Sequence, residues 1–307
     1  MAKTSSLRMS PLEWLLLTIL GGLWGGTFFF NAIALPELPP LVVILLRVAI
    51  ATVILWGVVL MSGVAVPRGR DVWVALTVMA FANSALPFFL IAWGQLHIAS
   101  GLAAILIASS PLYAVAAAHF MTQDEGLTLG KITGVLAGIA GVVILIGPEF
   151  LSGIGTNLLA QLSVIGAAIL YALSAIYGRR FARQTVPPLM VATGQMTMAT
   201  VLLLPVALIV DRPWTLSNPS LEAWGAVLSL AVLSTSVAYL IYFRILATAG
   251  AINILLVNFL VPVSALLLGI FVLGEHLALE QVIGMGFIVV GLLLIDGRIL
   301  SRLHITG

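Results

Sequence analysis

Hydrophobic residues fill ten long segments of this chain, and polar or helix-breaking residues separate each segment from the next. At a rise of about 1.5 Å per helical residue, each segment approaches the thickness of a bilayer's hydrocarbon core. The segments are too long and too uniformly apolar for barrel strands, and a helix satisfies its own backbone hydrogen bonds. The pattern therefore predicts ten transmembrane helices at residues 12–33, 39–61, 72–93, 98–121, 128–147, 157–181, 187–210, 221–246, 251–273 and 279–300.

Part of this pattern occurs twice. Residues 39–55, which begin Pro-Pro-Leu, return as residues 187–203, an offset of 187 minus 39, or 148 residues. Nearly the same offset relates Pro111 to Pro262 and Trp24 to Tyr171. Several matches in the same order indicate a duplication, with one five-helix repeat in residues 1–150 and a second in residues 151–307.

The positions of the basic residues predict the orientation of the bundle. With the N-terminus in the cytoplasm, eleven of the 13 Lys and Arg residues fall on the cytoplasmic side, as the positive-inside rule requires. They are Lys3, Arg8, Arg68, Arg70, Lys131, Arg179, Arg180, Arg183, Arg244, Arg298 and Arg302. Both termini are therefore expected in the cytoplasm. Because five is an odd number of helices, the two repeats are inverted relative to each other, an arrangement typical of transporters.

The composition narrows the class of protein further. The chain is 62% hydrophobic and 8% charged, and its mean hydropathy is +1.21. Such a chain has lipid as its solvent, and it shows no basic and aromatic surface for nucleic acid. The absence of cysteine excludes disulfides and thiolate metal sites. We expect a bilayer and a small-molecule substrate as partners, no nucleic acid, no cofactor and no metal; the oligomeric state is open.

Three short motifs carry a family resemblance: Leu23-Trp24-Gly25-Gly26-Thr27-Phe28, Leu46-Arg47, and Gly274-Glu275 followed by Gly284 and Gly291. In order and spacing they resemble the EamA branch of the drug/metabolite transporter superfamily over nearly the whole chain. The resemblance implies an all-α membrane protein of ten helices in two five-helix repeats. The length and layout are similar to the subgroup that exports aromatic amino acids, which implies an amino acid or a similar metabolite as the substrate.

A transport site needs polar groups near the middle of the membrane. The midspan polar, aromatic and helix-breaking candidates are Trp24, Asn83, Pro87, Ser109, Pro111, Tyr171, Ser236, Tyr239, Asn258 and Pro262. An interior proline frees a carbonyl for a substrate ammonium, and an aromatic ring offers a stacking surface. We expect a cavity among the third, fourth, eighth and ninth helices, with the first and sixth contributing. For each residue the alternative is a structural role, such as a kink or packing.

Arg47 is the only ionisable residue well inside a predicted helix, and its repeat counterpart is Gln195. One interpretation makes Arg47 an anchor for a substrate carboxylate or a latch of the gate. The other makes it a structural charge that reaches the membrane interface or pairs with backbone carbonyls. Because Arg47 lies close to a predicted helix end, the sequence favours the structural interpretation.

All eleven Asp and Glu residues fall at or near predicted helix ends, so no carboxylate is expected at the midplane. Glu125 and Glu275 are expected to begin the fifth and tenth helices by favourable interaction with the helix dipole. The absence of a midplane carboxylate disfavours a proton-coupled exporter of cationic drugs with the same fold. The metalloprotease pattern His-Glu-x-x-His and the hydrolase pattern Gly-x-Ser-x-Gly are missing, which disfavours an intramembrane enzyme.

The sequence as a whole predicts a secondary transporter of the inner membrane. It is expected to export amino acids, aromatic or of broad range, or similar small metabolites by alternating access. The cationic-drug exporter, the membrane enzyme and a membrane scaffold without transport activity are the alternatives.

Overall fold

The computed structural model describes residues 9–121, 129–151 and 155–296, and ten main helices cross these ranges. They are α1 (Pro11–Ala34), α2 (Pro40–Ser62), α3 (Arg70–Gln95), α4 (Ser100–Met121), α5 (Leu129–Leu151), α6 (Thr156–Arg183), α7 (Pro188–Val210), α8 (Leu221–Ala249), α9 (Val257–Phe271) and α10 (Leu279–Asp296). One further turn of helix, Ala251–Ile254, precedes α9, and a 3-10 turn, Pro213–Thr215, follows α7. The predicted all-helical fold is confirmed.

The helices have the length and surface of a membrane bundle. Within the described ranges, α1 to α8 are long and apolar enough to cross a membrane, whereas α9 and α10 are shorter apolar helices. Large apolar side chains are exposed along the bundle; Val53 on α2 is 73% exposed and Ile209 on α7 is 74% exposed. Such a surface is stable in lipid and would aggregate in water. The protein is therefore a multi-pass membrane protein.

Local sequence signals set several helix ends. At the start of α1 the Ser10 N–H donates to Glu13 Oε2 at 2.6 Å, and the Glu13 N–H donates to Ser10 Oγ at 3.3 Å, which is a capping box. Both α2 and α7 begin at the second proline of a Pro-Pro pair, where the missing N–H has no helical partner. After α2 the chain turns at Gly63, whose φ of 63° suits glycine.

The third and eighth predicted helices are not regular throughout. Each contains a π-helical segment, Phe81–Ala85 in α3 and Val232–Val237 in α8, at equivalent positions of the two repeats. In α8 the hydroxyls of Thr235 and Ser236 donate to carbonyls five residues earlier, at 2.8 Å and 2.9 Å. These bonds follow the wider π turn, a feature that often accompanies functional sites.

The fourth and ninth predicted helices are also interrupted. A turn at Ser109 divides α4, and residues 255–256 form a turn between the short helix and α9. The four interrupted helices are therefore two repeat-related pairs, α3 with α8 and α4 with α9.

The two repeats are interlocked. The first helix of one repeat packs on two helices of the other, since α1 lies against α8 and α9 while α6 lies against α3 and α4. The remaining helices pair with their own counterparts, α2 with α7 and α5 with α10. The hydroxyl oxygens of the counterparts Thr52 and Thr200 are 3.2 Å apart. The contacts thus respect a pseudo-twofold relation, as the inverted repeat predicts; the boundary near residue 150 stays a prediction.

Glycines bring α5 and α10 into close contact within the chain. A Cβ atom on Gly134 would lie 2.6 Å from the carbonyl oxygen of Gly291, and one on Gly141 would lie 2.6 Å from that of Gly284. Small residues let helix backbones approach in this way inside membranes. Gly286 differs, because a Cβ atom there would meet nothing within 4 Å.

Candidate functional site

A cavity of about 550 Å³ lies between the two repeats, a volume typical of small-molecule sites. Helices α1 to α4 and α6 to α9 supply its wall, and no described residue of α5 or α10 belongs to it. Seven of the residues singled out from the sequence line it: Trp24, Arg47, Asn83, Tyr171, Gln195, Tyr239 and Asn258. Their roles in transport remain predictions.

The structure does not bring the other five candidates to the cavity wall: Pro87, Ser109, Pro111, Ser236 and Pro262. The hydroxyl of Ser109 donates to the Leu106 carbonyl at 2.6 Å, and that of Ser236 donates to the Ala231 carbonyl at 2.9 Å. Both serines are fully buried. Their hydroxyls are satisfied by their own helices, which is the structural alternative stated above.

Two of these prolines, Pro87 and Pro262, follow a cavity residue by one helical turn. A proline removes the N–H that would bind the carbonyl four residues earlier. Asn83 precedes Pro87 by four residues, and Asn258 precedes Pro262 by four; both asparagines line the cavity. The sequence spacing located the right turn of each helix, but the asparagine rather than the proline faces the cavity.

Arg47 points into the cavity. The residue is 5% exposed, its Nε donates to Thr235 Oγ1 at 2.8 Å, and its guanidinium carbon lies 4.0 Å from the centroid of the Phe88 ring. Neither of these partners is a backbone carbonyl. Arg47 reaches them because α2 packs against α7 and the π segment of α8. The choice between the anchor or gate role and the structural role stays a prediction.

Gln195 occupies the equivalent place in the second repeat. Its Nε2 donates to Ser84 Oγ at 2.5 Å and to the Tyr239 hydroxyl at 3.2 Å. Ser84 lies in the π segment of α3, as Thr235 lies in the π segment of α8. The two counterparts therefore make equivalent contacts, but Arg47 brings a charge and Gln195 does not.

The polar wall residues that the sequence analysis did not single out include Thr27, Asn31 and Ser174. Thr27 and Ser174 are separated by the same offset as Trp24 and Tyr171, so they are repeat counterparts. The repeat would have revealed them, because each lies one turn beyond an aromatic residue already identified.

The cavity extends towards one end of the bundle, which we call the Ala182 end, where α6 meets α7. Gly178, Ala182 and Pro188 all belong to its wall. At the opposite end, the Gln95 end, Asn31 Nδ2 donates to Gln95 Oε1 at 2.9 Å and joins α1 to α3. The repeat counterpart of Asn31 is Gly178, which has no side chain to make such a bond. The two ends are therefore chemically unequal.

Glu275 provides a second contact at the Gln95 end. Its Oε1 accepts a hydrogen bond from the Ser100 N–H at 2.7 Å, and its Oε2 accepts one from the Gly101 N–H at 3.0 Å. These are N–H groups of the first turn of α4, which have no helical partner. The expectation that Glu275 begins the tenth helix is therefore wrong: it caps α4. Glu125 lies outside the described residues.

A third contact joins the loop after α1 to the start of α8. Ser220 donates to Glu37 twice, from its hydroxyl to Oε1 and from its N–H to Oε2, both at 2.6 Å. These two hydrogen bonds lower the pKa of the Glu37 carboxyl below its ordinary value, and the bond from the hydroxyl has the larger effect. Three contacts thus tie separate helices together towards this end.

Interlocked helical repeats around a central cavity, closed at one end, define the class of membrane transporters. The chain matches the model of the EamA-like transporter family over residues 12–147 and again over residues 158–296. It belongs to this family, which is part of the drug/metabolite transporter superfamily, and is a secondary transporter. The family is not one of enzymes, so the enzyme alternative is excluded.

Two of the three relatives that follow are named as transporters. The chain is 28% identical to the Escherichia coli protein named "Uncharacterized inner membrane transporter YedA", covering 89% of this chain and 87% of the relative. It is 25% identical to an "Uncharacterized transporter" of Archaeoglobus fulgidus (92% and 98%) and 26% identical to "Protein PecM" of Dickeya dadantii (91% and 91%). A crystal structure at 21% identity shares the fold, with a TM-score of 0.68 and coverage of 95% and 98%.

Proposed function

We propose that this transporter exports amino acids, including aromatic ones, or similar small metabolites across the inner membrane by alternating access. Its termini lie in the cytoplasm, and the two inverted repeats move against each other around the cavity. The placement of the basic residues supports this orientation. The similarity to YedA, which is named as an inner membrane transporter, supports the location in the inner membrane.

The observation that carries the proposal is the inequality of the two ends of the cavity. In the proposed orientation the Ala182 end faces the cytoplasm, so the cavity is accessible from the side on which an exporter loads. The contacts of Gln95 and Glu275 close the periplasmic side. Opening that end while the Ala182 end closes would complete one transport step.

The character of the wall supports an amino-acid substrate. Trp24, Tyr171, Tyr239 and Tyr242 present aromatic surface, and Arg47 and Asn258 present groups that bind carboxylate and ammonium. A cationic-drug exporter of the same fold is the weaker candidate. The described cavity wall holds a buried arginine and no carboxylate, which is unfavourable for a cation.

Counterflow in proteoliposomes tests the function. Vesicles loaded with one unlabelled amino acid are diluted into its labelled form, for a panel of amino acids, with and without a pH gradient. We expect accumulation of labelled amino acids above empty liposomes. Efflux of ethidium with no flux of any amino acid would reverse the choice between the two exporters.

A further inference from the structure

Arg47 carries a positive charge that no residue on the described cavity wall balances. Its Nε is bound to Thr235 and one face of its guanidinium is covered by Phe88, while its two terminal nitrogens make no hydrogen bond in the described ranges. A buried charge without a partner is costly, so a ligand that supplies the opposite charge recovers much of that cost. The guanidinium edge matches a carboxylate, with two parallel N–H···O bonds.

Two buried hydroxyls on the same wall also lack partners. Ser174 and Ser234 are each 1% exposed, and neither hydroxyl oxygen has a hydrogen bond. Ser234 directly precedes Thr235, which binds Arg47, and Ser174 lies one turn after Tyr171 on α6. A buried hydroxyl without a partner costs free energy that a polar ligand group would restore.

The rest of the wall suits an apolar body. The rings of Trp24 and Tyr242 have centroids 5.7 Å apart, and those of Tyr239 and Phe243 stack at 5.9 Å. These paired rings supply aromatic surface on the same wall that carries the polar groups of Arg47, Ser174 and Ser234.

We propose that Arg47, Ser174 and Ser234 form an anion subsite that binds the carboxylate of the substrate, while the aromatic rings hold its apolar body. The subsite restricts the substrates to solutes that carry a carboxylate next to an apolar group. Amines that lack a carboxylate are rejected, because they place a second positive charge beside Arg47. This inference rests on the proposed export function and identifies what the site recognises.

Competition in the counterflow assay tests the subsite. The probe is labelled L-phenylalanine, and the competitors are phenylacetate, which keeps the carboxylate and lacks the amine, and L-phenylalaninamide, which keeps the amine and lacks the carboxylate. We expect phenylacetate to compete and the amide to compete about 10- to 100-fold more weakly, as the loss of charge-assisted hydrogen bonds implies. Equal competition by the amide would overturn the anion subsite and leave the export function standing.

Thermal stabilisation of the purified protein by phenylacetate and by phenethylamine, an amine without a carboxylate, measures binding without flux. Stabilisation by phenylacetate but not by phenethylamine supports the subsite even if no amino acid is transported. The lack of transport would refute only the export function. Stabilisation by both compounds to the same degree would refute the subsite.

Variants locate the effect. Arg47→Gln installs the residue found at the counterpart position 195, and it should remove the preference for phenylacetate over the amine, whereas Arg47→Lys should keep part of it. Arg244→Gln is the matched control, because Arg244 is exposed and away from the cavity. Should Arg47→Gln fail to fold, Ser174→Ala and Ser234→Ala offer a test that keeps the charge of Arg47. Each of these variants should weaken phenylacetate binding several-fold. Normal phenylacetate binding by both would count against the subsite.

Discussion

Arg47 and Gln195 hold the same position in the two repeats, and each reaches across to the π segment of the other repeat. Arg47 Nε lies 2.8 Å from Thr235 Oγ1, and Gln195 Nε2 lies 2.5 Å from Ser84 Oγ. The two contacts are related by the pseudo-twofold relation that also brings Thr52 to Thr200. The repeats therefore meet at the centre of the bundle through equivalent contacts of unequal charge.

The contact between Gln195 and Ser84 should behave as a coupled pair. Gln195→Leu leaves the buried Ser84 hydroxyl without its partner, at a cost of about 1–3 kcal/mol, and Ser84→Ala orphans one amide hydrogen at a similar cost. The double variant should be less destabilised than the sum of the two, because it leaves fewer unpaired groups. Thermal unfolding of all four proteins in detergent measures this, and strict additivity would show that the contact is unimportant.

Gly141 on α5 should not tolerate a methyl group. A Cβ atom there would lie 2.6 Å from the Gly284 carbonyl oxygen and 2.9 Å from Phe287 Cβ, so Gly141→Ala should force α5 and α10 apart. Overpacking of this kind costs about 1–3 kcal/mol. Gly286→Ala on α10 is the control and should leave the unfolding midpoint unchanged or raise it, because nothing lies within 4 Å. Equal midpoints for the two variants would contradict the packing.

Glu275 should keep the Gln95 end closed. Glu275→Gln weakens the cap on α4 by about 1 kcal/mol, which corresponds to a roughly fivefold larger open fraction. Since the chain has no cysteine, Ser100→Cys introduces a single reactive site, and it breaks no side-chain hydrogen bond. An impermeant maleimide should modify this cysteine faster when Glu275→Gln is also present than when Glu275 is retained.

Glu280→Gln is the matched control for this experiment, because Glu280 is exposed on the first turn of α10. It removes the same charge without touching α4. Similar rates of modification of the cysteine at position 100 in the Glu275→Gln and Glu280→Gln proteins would mean that the contact of Glu275 with α4 does not control closure.

The contact between Glu37 and Ser220 predicts a pH dependence. Because the pKa of Glu37 is lowered in the folded protein, the ionised carboxylate stabilises the fold above the ordinary value of 4.5, and this contribution is lost as the pH falls through the lowered pKa. The unfolding midpoint of the natural protein should exceed that of Glu37→Ala at neutral pH, and the difference should shrink below 4.5. Glu222→Ala replaces an exposed residue in the first turn of α8. It should not show the drop in unfolding midpoint that loss of the contact causes in Glu37→Ala. A gap between Glu37→Ala and the natural protein that stayed constant with pH would contradict the contact.

The cavity residues show how far sequence reasoning carries. Trp24, Asn83, Tyr171 and Asn258 were located by midspan position and by the repeat, since both are properties of residue order. Ser109 and Ser236 are also polar residues at midspan positions, yet their hydroxyls bind carbonyls of their own helices. Depth along a helix is visible in a sequence, but the direction of a side chain around the helix axis also depends on the neighbouring helices.

The amino-acid order alone was sufficient for ten helices, the membrane environment and the duplication, because apolar length and local repetition require no knowledge of packing. Three-dimensional packing decided the direction of Arg47, the π segments that meet it, and the role of Glu275 at a helix 174 residues away in the chain. Each depends on contacts between residues far apart in sequence. An apolar helix without a strong polar face can be rotated in many ways, and only its partners select one.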